Sequence, residues 1–113
     1  MSAVTAARLW YAQRATALVL AACVVIHLAI IIYATRHGLT ADAILGRTRG
    51  NALAFGFYAL FVAAAAIHVP IGLAQIATEW LRWRSTGMWI TVMVFAIATL
   101  LLGLRAVLAV VIG

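Results

Sequence analysis

The sequence predicts an all-α membrane protein whose three transmembrane helices form one up-down-up bundle. Of its 113 residues, 68% are hydrophobic and only 9% are charged, whereas soluble domains average about 25% charged residues. The mean hydropathy is +1.18. Apolar residues are grouped into three long runs, and a spanning helix needs about 20 residues. The whole chain, residues 1–113, is therefore expected to be a single transmembrane domain.

The three apolar runs place the helices. The first is expected at about residues 15–34, where His27 alone interrupts the apolar character. A loop with several glycines and arginines follows. The second helix is expected at about residues 52–78, which is long enough to span with tilt. It contains Pro70, which removes a backbone donor and favours a mild kink. The third helix is expected at about residues 88–110.

The ends of these runs carry the charge. All eight basic residues are arginines, and the net charge is +6. Headgroup contacts and loop orientation explain arginines at such positions. No basic stripe with interleaved aromatic residues is present, so we expect membrane lipid and no nucleic acid as a partner. The two sides carry similar numbers of arginines, which gives a small preference for a cytoplasmic N-terminus.

The second helix carries a polar stripe that is unsuited to lipid. Residues three or four positions apart share one helix face. In this helix they are Phe61, Ala64, His68, Gly72, Gln75 and Glu79. A histidine within a membrane span is costly and usually has a partner or a function. The stripe is therefore expected to face a partner, a cofactor or a cavity.

The two histidines within the spans are expected at similar depth. Arg14 precedes His27 by 13 residues and Glu79 follows His68 by 11, which is ~20 Å and ~16 Å of helix. If Arg14 and Glu79 lie near one membrane face, the two imidazoles come to matching levels. Neutral imidazole is a good axial ligand for haem iron, and Gly72, one turn after His68, leaves room for a flat macrocycle.

Other roles for these residues stay open. Hydrogen bonding between helices or a proton relay through His27, His68 and Glu79 would also use them. A zinc site is not expected, because it needs three or four ligands. Arg14 is either a cation that extends to the headgroups or a donor to a quinone carbonyl. In a quinone site at Arg14, Gln13 and Thr16 would be the neighbouring polar residues.

Two segments resemble a known family. The sequence IHVPIGLAQIATEW, residues 67–80, is similar to a segment of the cytochrome b membrane-anchor subunits of succinate dehydrogenase and fumarate reductase. The family pattern there is a histidine, a glycine four residues later and a more distant acid. The family histidine is an axial haem b ligand, which implies that role for His68, with Gly72 as the matching glycine.

The family also has an H-R-x-S-G element at the start of its first helix, with the arginine at the quinone site. The corresponding stretch here is QRATA, residues 13–17. Arg14 matches the arginine and Thr16 replaces the serine, while the histidine and the last glycine are absent. The resemblance implies a haem b-containing, non-catalytic anchor subunit in the bacterial inner membrane, with no catalytic residues of its own. It would pass electrons between partner FAD and iron–sulfur subunits and membrane quinone.

Some members of the family pair two three-helix anchors, each of which supplies one haem ligand. A second anchor or a second copy of this chain is therefore an expected partner. His27 has three roles under this resemblance: the second axial ligand for the haem of His68, the ligand of a second haem, or no haem ligand. The alternative functions are a cytochrome b subunit of another respiratory dehydrogenase, a cofactor-free membrane assembly subunit and a small multidrug-type transporter.

Overall fold

The computed structural model describes residues 2–113, and all regular structure in this part of the chain is helical. The helices are α1 (Ala3–His37), α2 (Ala41–Thr48), α3 (Ala52–Glu79) and α4 (Thr86–Val111). Among them, α1, α3 and α4 are long and apolar enough to cross a membrane. The predicted all-α class with three membrane-spanning helices is confirmed.

Helix α1 begins about a dozen residues before the predicted membrane run. Ser2 is its N-cap, and the Ser2 hydroxyl accepts a hydrogen bond from the Thr5 N–H at 3.1 Å. The segment that follows is rich in alanine, arginine and leucine, which are good helix formers. At 35 residues, α1 is roughly 50 Å long, about the length of the whole molecule, and its polar first turns continue the membrane helix without a break.

Helix α3 is the central element of the bundle. It packs against α1 on one side and against α4 on the other, while α1 and α4 barely touch. The α3–α4 contact is close, because a Cβ at Gly103 would lie 2.6 Å from Val62 Cγ1. Small residues permit such approach between membrane helices. The buried cluster between these two helices contains Ala74, Met88 and Val92.

Helix α2 lies between α1 and α3 in the chain, and hydrogen bonds hold its C-terminal end against the C-terminal end of α4. Gly38 ends α1 with φ +124°, a conformation that strongly favours glycine. The Thr48 hydroxyl then donates to the Val110 carbonyl at 2.6 Å, and the Gly50 N–H donates to the Val111 carbonyl at 2.8 Å. These bonds satisfy carbonyls of the last turn of α4, which would otherwise have no intrahelical donor.

The outer surface of the bundle is apolar. Large hydrophobic side chains such as Leu18, Val25, Leu53 and Leu102 are more than half exposed. The molecule is 49 Å long, which exceeds the ~30 Å hydrocarbon core of a bilayer. Exposed apolar side chains on three helices long enough to cross a bilayer form the surface of an integral membrane protein.

Candidate functional site

His68 lies in the seam between α3 and α1. Its Nδ1 atom is 3.1 Å from the Thr16 hydroxyl oxygen. Thr16 is only 8% exposed, and His68 is partly buried. One part of the predicted polar stripe therefore does face a neighbouring helix.

The hydrogen bonds of Thr16 are compatible with a proton on Nδ1 of His68. The Thr16 hydroxyl has one hydrogen, and it can donate it to the Ala12 carbonyl at 2.7 Å or the Gln13 carbonyl at 3.2 Å. When it does so, its oxygen accepts from His68 at 3.1 Å and Nδ1 is the protonated nitrogen. Nε2 of the neutral ring then retains its lone pair. This is the arrangement of a metal-binding histidine whose second nitrogen is held by a hydrogen bond.

Gln13 lies one helical turn from Thr16, in the same seam. Its Nε2 atom is 3.2 Å from the place that a Cβ on Gly72 would occupy. Its Oε1 atom is buried and has no hydrogen-bond partner in the part of the chain that the structure describes. The surface over Gly72 is thus covered by an amide whose oxygen is unpaired, a costly state for a buried polar atom.

Arg14 does not join this group. It is exposed, and its guanidinium carbon lies 5.1 Å from the centre of the Trp10 ring. The structure thus brings together Gln13 and Thr16, which the sequence placed at a quinone site, with His68 and Gly72, which it placed at a haem site. Arg14 lies on the outer side of α1.

His27 and His68 lie at different depths, so the expected match is absent. The His27 ring makes edge contacts with Tyr58 and Phe61, each at 5.9 Å between centroids. Thr16 is opposite His68, and His27 follows Thr16 by 11 residues, which is ~16 Å along α1. The expectation failed because Arg14, two residues before Thr16, lies close to the level of His68, whereas Glu79 is ~16 Å farther along α3.

A cavity of about 820 Å³ opens beside His27. It lies between α1, α2 and the first turns of α3, and Arg47 and Tyr33 are among its lining residues. Arg47 donates to the Gly38 carbonyl at 2.8 Å and lies 5.6 Å from the Tyr33 ring centre. Sequence reasoning gave Arg47 no role beyond the headgroups. Its position in the last turn of a short amphipathic helix was the only available signal.

The remaining candidates have surface positions. Glu79 is exposed at the end of α3, ~16 Å along the helix from His68, so these residues do not form a continuous proton relay. Within residues 2–113 no group of three or more histidine, cysteine, aspartate or glutamate side chains is close enough to hold a metal ion. Any iron bound here would need a macrocycle or ligands from another chain.

No protein-family model, curated protein or solved structure matches this chain.

Proposed function

We propose that this chain is a haem b-containing membrane anchor of a succinate dehydrogenase or fumarate reductase-type complex. It would connect FAD and iron–sulfur subunits, held by partner chains, to the quinone pool of the bacterial inner membrane. Its N-terminus would be cytoplasmic. The partners would carry the dicarboxylate chemistry, and this chain would transfer electrons without being catalytic itself.

The hydrogen bond between Thr16 and His68 is the observation that carries this proposal. With the proton on Nδ1, this bond leaves the Nε2 lone pair free, and it ties the ring to α1. Neutral histidine in this state is the usual protein ligand of b-type haem. When bound, haem iron accepts and releases single electrons by changing between its ferric and ferrous states. The unpaired Oε1 of Gln13 supports a ligand in the same seam.

The different depths of the histidines support two haem positions rather than one shared position. His27 and His68 are ~16 Å apart along the helix direction, which is too far for the two side chains to hold one iron between them. Each would supply one ligand, and a second anchor or a second copy would supply the other. The cavity beside His27, with Arg47 able to pair with a propionate, supports the second position.

A cofactor-free assembly subunit is the second candidate function. The observation that favours it is the amide of Gln13, which covers Gly72 and fills the surface expected for a macrocycle. In that case the Thr16–His68 bond is a helix–helix contact only. A haem at His68 that uses Gly72 requires the Gln13 side chain to turn away.

Single histidine variants test these alternatives. We expect His68→Ala and His27→Ala each to remove a different half of the haem bound by the purified full-length chain with its partners. His37→Ala is the control, because His37 is exposed at the end of α1 and bonds the Tyr33 carbonyl. Pyridine haemochrome absorbance, divided by the quantity of purified chain, gives the haem-to-protein ratio. Circular dichroism checks that each variant keeps its helices.

The outcomes of this experiment separate the proposals. If either variant alone loses all haem, the two histidines serve one shared site and the two-position proposal is wrong. If wild type carries no haem after gentle purification, the assembly subunit is favoured. If haem is present and neither variant loses any, the histidines are not ligands.

A further inference from the structure

Helix α2 forms one wall of the cavity beside His27. Ile44, Arg47 and Thr48 line the cavity from this helix, and Asn51 lines it from the connection to α3. The walls that α1 and α3 provide are mostly apolar and adjoin the acyl chains of a bilayer. The connection that contains α2 joins two spanning helices, so it lies outside the hydrocarbon. A charged molecule that enters from the aqueous side would therefore pass α2.

Helix α2 is held to the bundle by little side-chain packing. None of its eight residues is buried, so moving it away would expose little apolar surface. Elements with few buried apolar contacts are those that open at a low free-energy cost. The attachment of α2 therefore depends mainly on hydrogen bonds.

A glycine with positive φ lies on each side of α2. Gly38 has φ +124° and Gly50 has φ +70°. Glycine populates positive and negative φ about equally, so both positions can change conformation without a steric penalty. Hinges in proteins are a few residues at the ends of elements that absorb such changes. Rotation at these two glycines would move α2 as one unit and leave α1 and α3 in place.

Three hydrogen bonds hold α2 over the cavity. Two of them connect its C-terminal end to α4, from the Thr48 hydroxyl and from the Gly50 N–H. The third runs from the Arg47 guanidinium to the Gly38 carbonyl at 2.8 Å. Each contributes modestly to stability, because water takes its place on opening. A small set of modest bonds is suited to a segment that opens and closes.

Arg47 is a cation on the cavity wall without an acidic neighbour there. Both acids of the chain, Asp42 and Glu79, are exposed, and neither lines the cavity. A guanidinium bonds a carboxylate or a phosphate through two parallel N–H groups, whereas Arg47 has one bond to the Gly38 carbonyl. An anion in the cavity would therefore compete well for Arg47.

We propose that α2 is a lid over the His27 cavity, hinged at Gly38 and Gly50, and that Arg47 is its latch. The latch holds the empty lid on the Gly38 carbonyl and pairs with the acidic head of an amphiphile that enters. In the proposed function, on which only this identity rests, the acidic head is a haem propionate. A phospholipid phosphate offers the same charge.

Cysteine labelling measures how often the lid opens. Cys23→Ala removes the only cysteine of the chain, and Ala54→Cys then places a thiol in the cavity wall. The full-length chain in phosphatidylcholine nanodiscs is treated with a water-soluble maleimide. We expect Thr48→Val and Arg47→Met each to raise the labelling rate about tenfold.

A third variant tests the hinge alone. Gly50→Ala adds a Cβ that meets no atom within 4 Å, so it changes only the preference for the positive φ of the closed lid. It should also raise the labelling rate. An unchanged rate in Gly50→Ala would show that α2 does not turn at this residue and would overturn the hinge.

Two controls accompany these variants. Arg36→Met removes an exposed arginine that does not line the cavity, and it should label at the wild-type rate. Ala41→Cys, in place of Ala54→Cys, puts the thiol at an exposed position outside the cavity, where the lid variants should not change its rate. If Thr48→Val and Arg47→Met leave Ala54→Cys labelling unchanged, or if Arg36→Met raises it equally, α2 is not a lid.

Added haemin and added phosphatidylglycerol test the pairing of Arg47 and distinguish the two sources of the acidic head. The one that occupies the cavity should slow labelling of Ala54→Cys, and less so in Arg47→Met. Equal protection in both chains, or protection by neither compound, overturns the pairing. Latch-dependent labelling with protection by phosphatidylglycerol alone supports the lid and removes the haem position at His27. Haem bound at His27 with labelling that ignores the latch overturns the lid alone.

Discussion

Thr16→Val gives the sharpest test of the proposed haem site through a residue that would not touch the iron. Valine has nearly the shape of threonine, so the α1–α3 contact should persist at this buried position. The substitution removes the hydroxyl that lies 3.1 Å from His68 Nδ1. The ring then loses both its tautomer preference and its orientation.

The expected loss of haem affinity can be taken from other metal sites in which a histidine ligand is held by a hydrogen bond. Loss of a hydrogen-bond partner behind a metal-binding histidine typically lowers metal affinity about 10–100-fold. That range corresponds to about 1.4–2.8 kcal/mol. An unpaired Nδ1–H in the seam also costs about 1–3 kcal/mol in the folded protein without haem. We therefore expect both weaker haem retention and a lower unfolding free energy.

Haem transfer to apomyoglobin measures the retention. The dissociation rate should rise in Thr16→Val and return close to the wild-type rate in Thr16→Ser, which restores the hydroxyl. Thr91→Val is the matched control, since the Thr91 hydroxyl also donates to the carbonyl four residues earlier, at 2.8 Å, but does not meet a histidine. A wild-type dissociation rate in Thr16→Val would refute the role assigned to this hydrogen bond.

Two further predictions concern the packing that holds the site in place. Gly103→Ala should lower the unfolding free energy in mixed detergent micelles by about 1–3 kcal/mol, because the added Cβ would lie 2.6 Å from Val62; Gly56→Ala, which meets no atom within 4 Å, should not. Equal unfolding curves for these two variants would contradict the close α3–α4 approach. Thr48→Val removes the bond to the Val110 carbonyl and should cost about 1 kcal/mol, with faster hydrogen exchange in α2. Unchanged exchange there would show that this bond does not hold α2 against α4.

The spanning helices were predictable because a segment that inserts into a membrane must have an apolar amino-acid composition. Every lipid-facing position must be apolar, and backbone groups must bond within the segment, so long apolar runs predict spans directly. The start of α1 was harder to predict from the sequence. Its first turns lie beyond the hydrophobic run and depend on Ser2 capping and helix propensity, which hydropathy does not report.

The grouping of the candidate residues was not predictable from the sequence. His68 and Gly72 were selected for a haem site and Gln13 and Thr16 for a quinone site, and the structure places all four in one seam. Their register could not be obtained from counting residues, because the position of α1 along α3 depends on side-chain packing. A helix can lie several turns up or down its neighbour without changing its apolar pattern, so the depth of His27 was wrong by ~16 Å.

The cavity bordered by Trp10, Gln75 and Trp89 and the cavity at His27 were not predictable for a related reason. Each is formed by residues from three helices, and its volume depends on how far those helices separate. Trp10 and Trp89 matched an ordinary interface belt in the sequence. Only the spatial arrangement shows that they border the same space as Gln75.

The haem and flavin content of the wild-type complex, isolated in mild detergent through a tag on this chain, tests the central claim most directly. We expect a b-type reduced-minus-oxidised spectrum that co-elutes with the chain and with a covalent flavin. The spectrum should diminish in His68→Ala. Co-elution of the intact helical chain with neither haem nor flavin would contradict its assignment as a haem-bearing respiratory anchor.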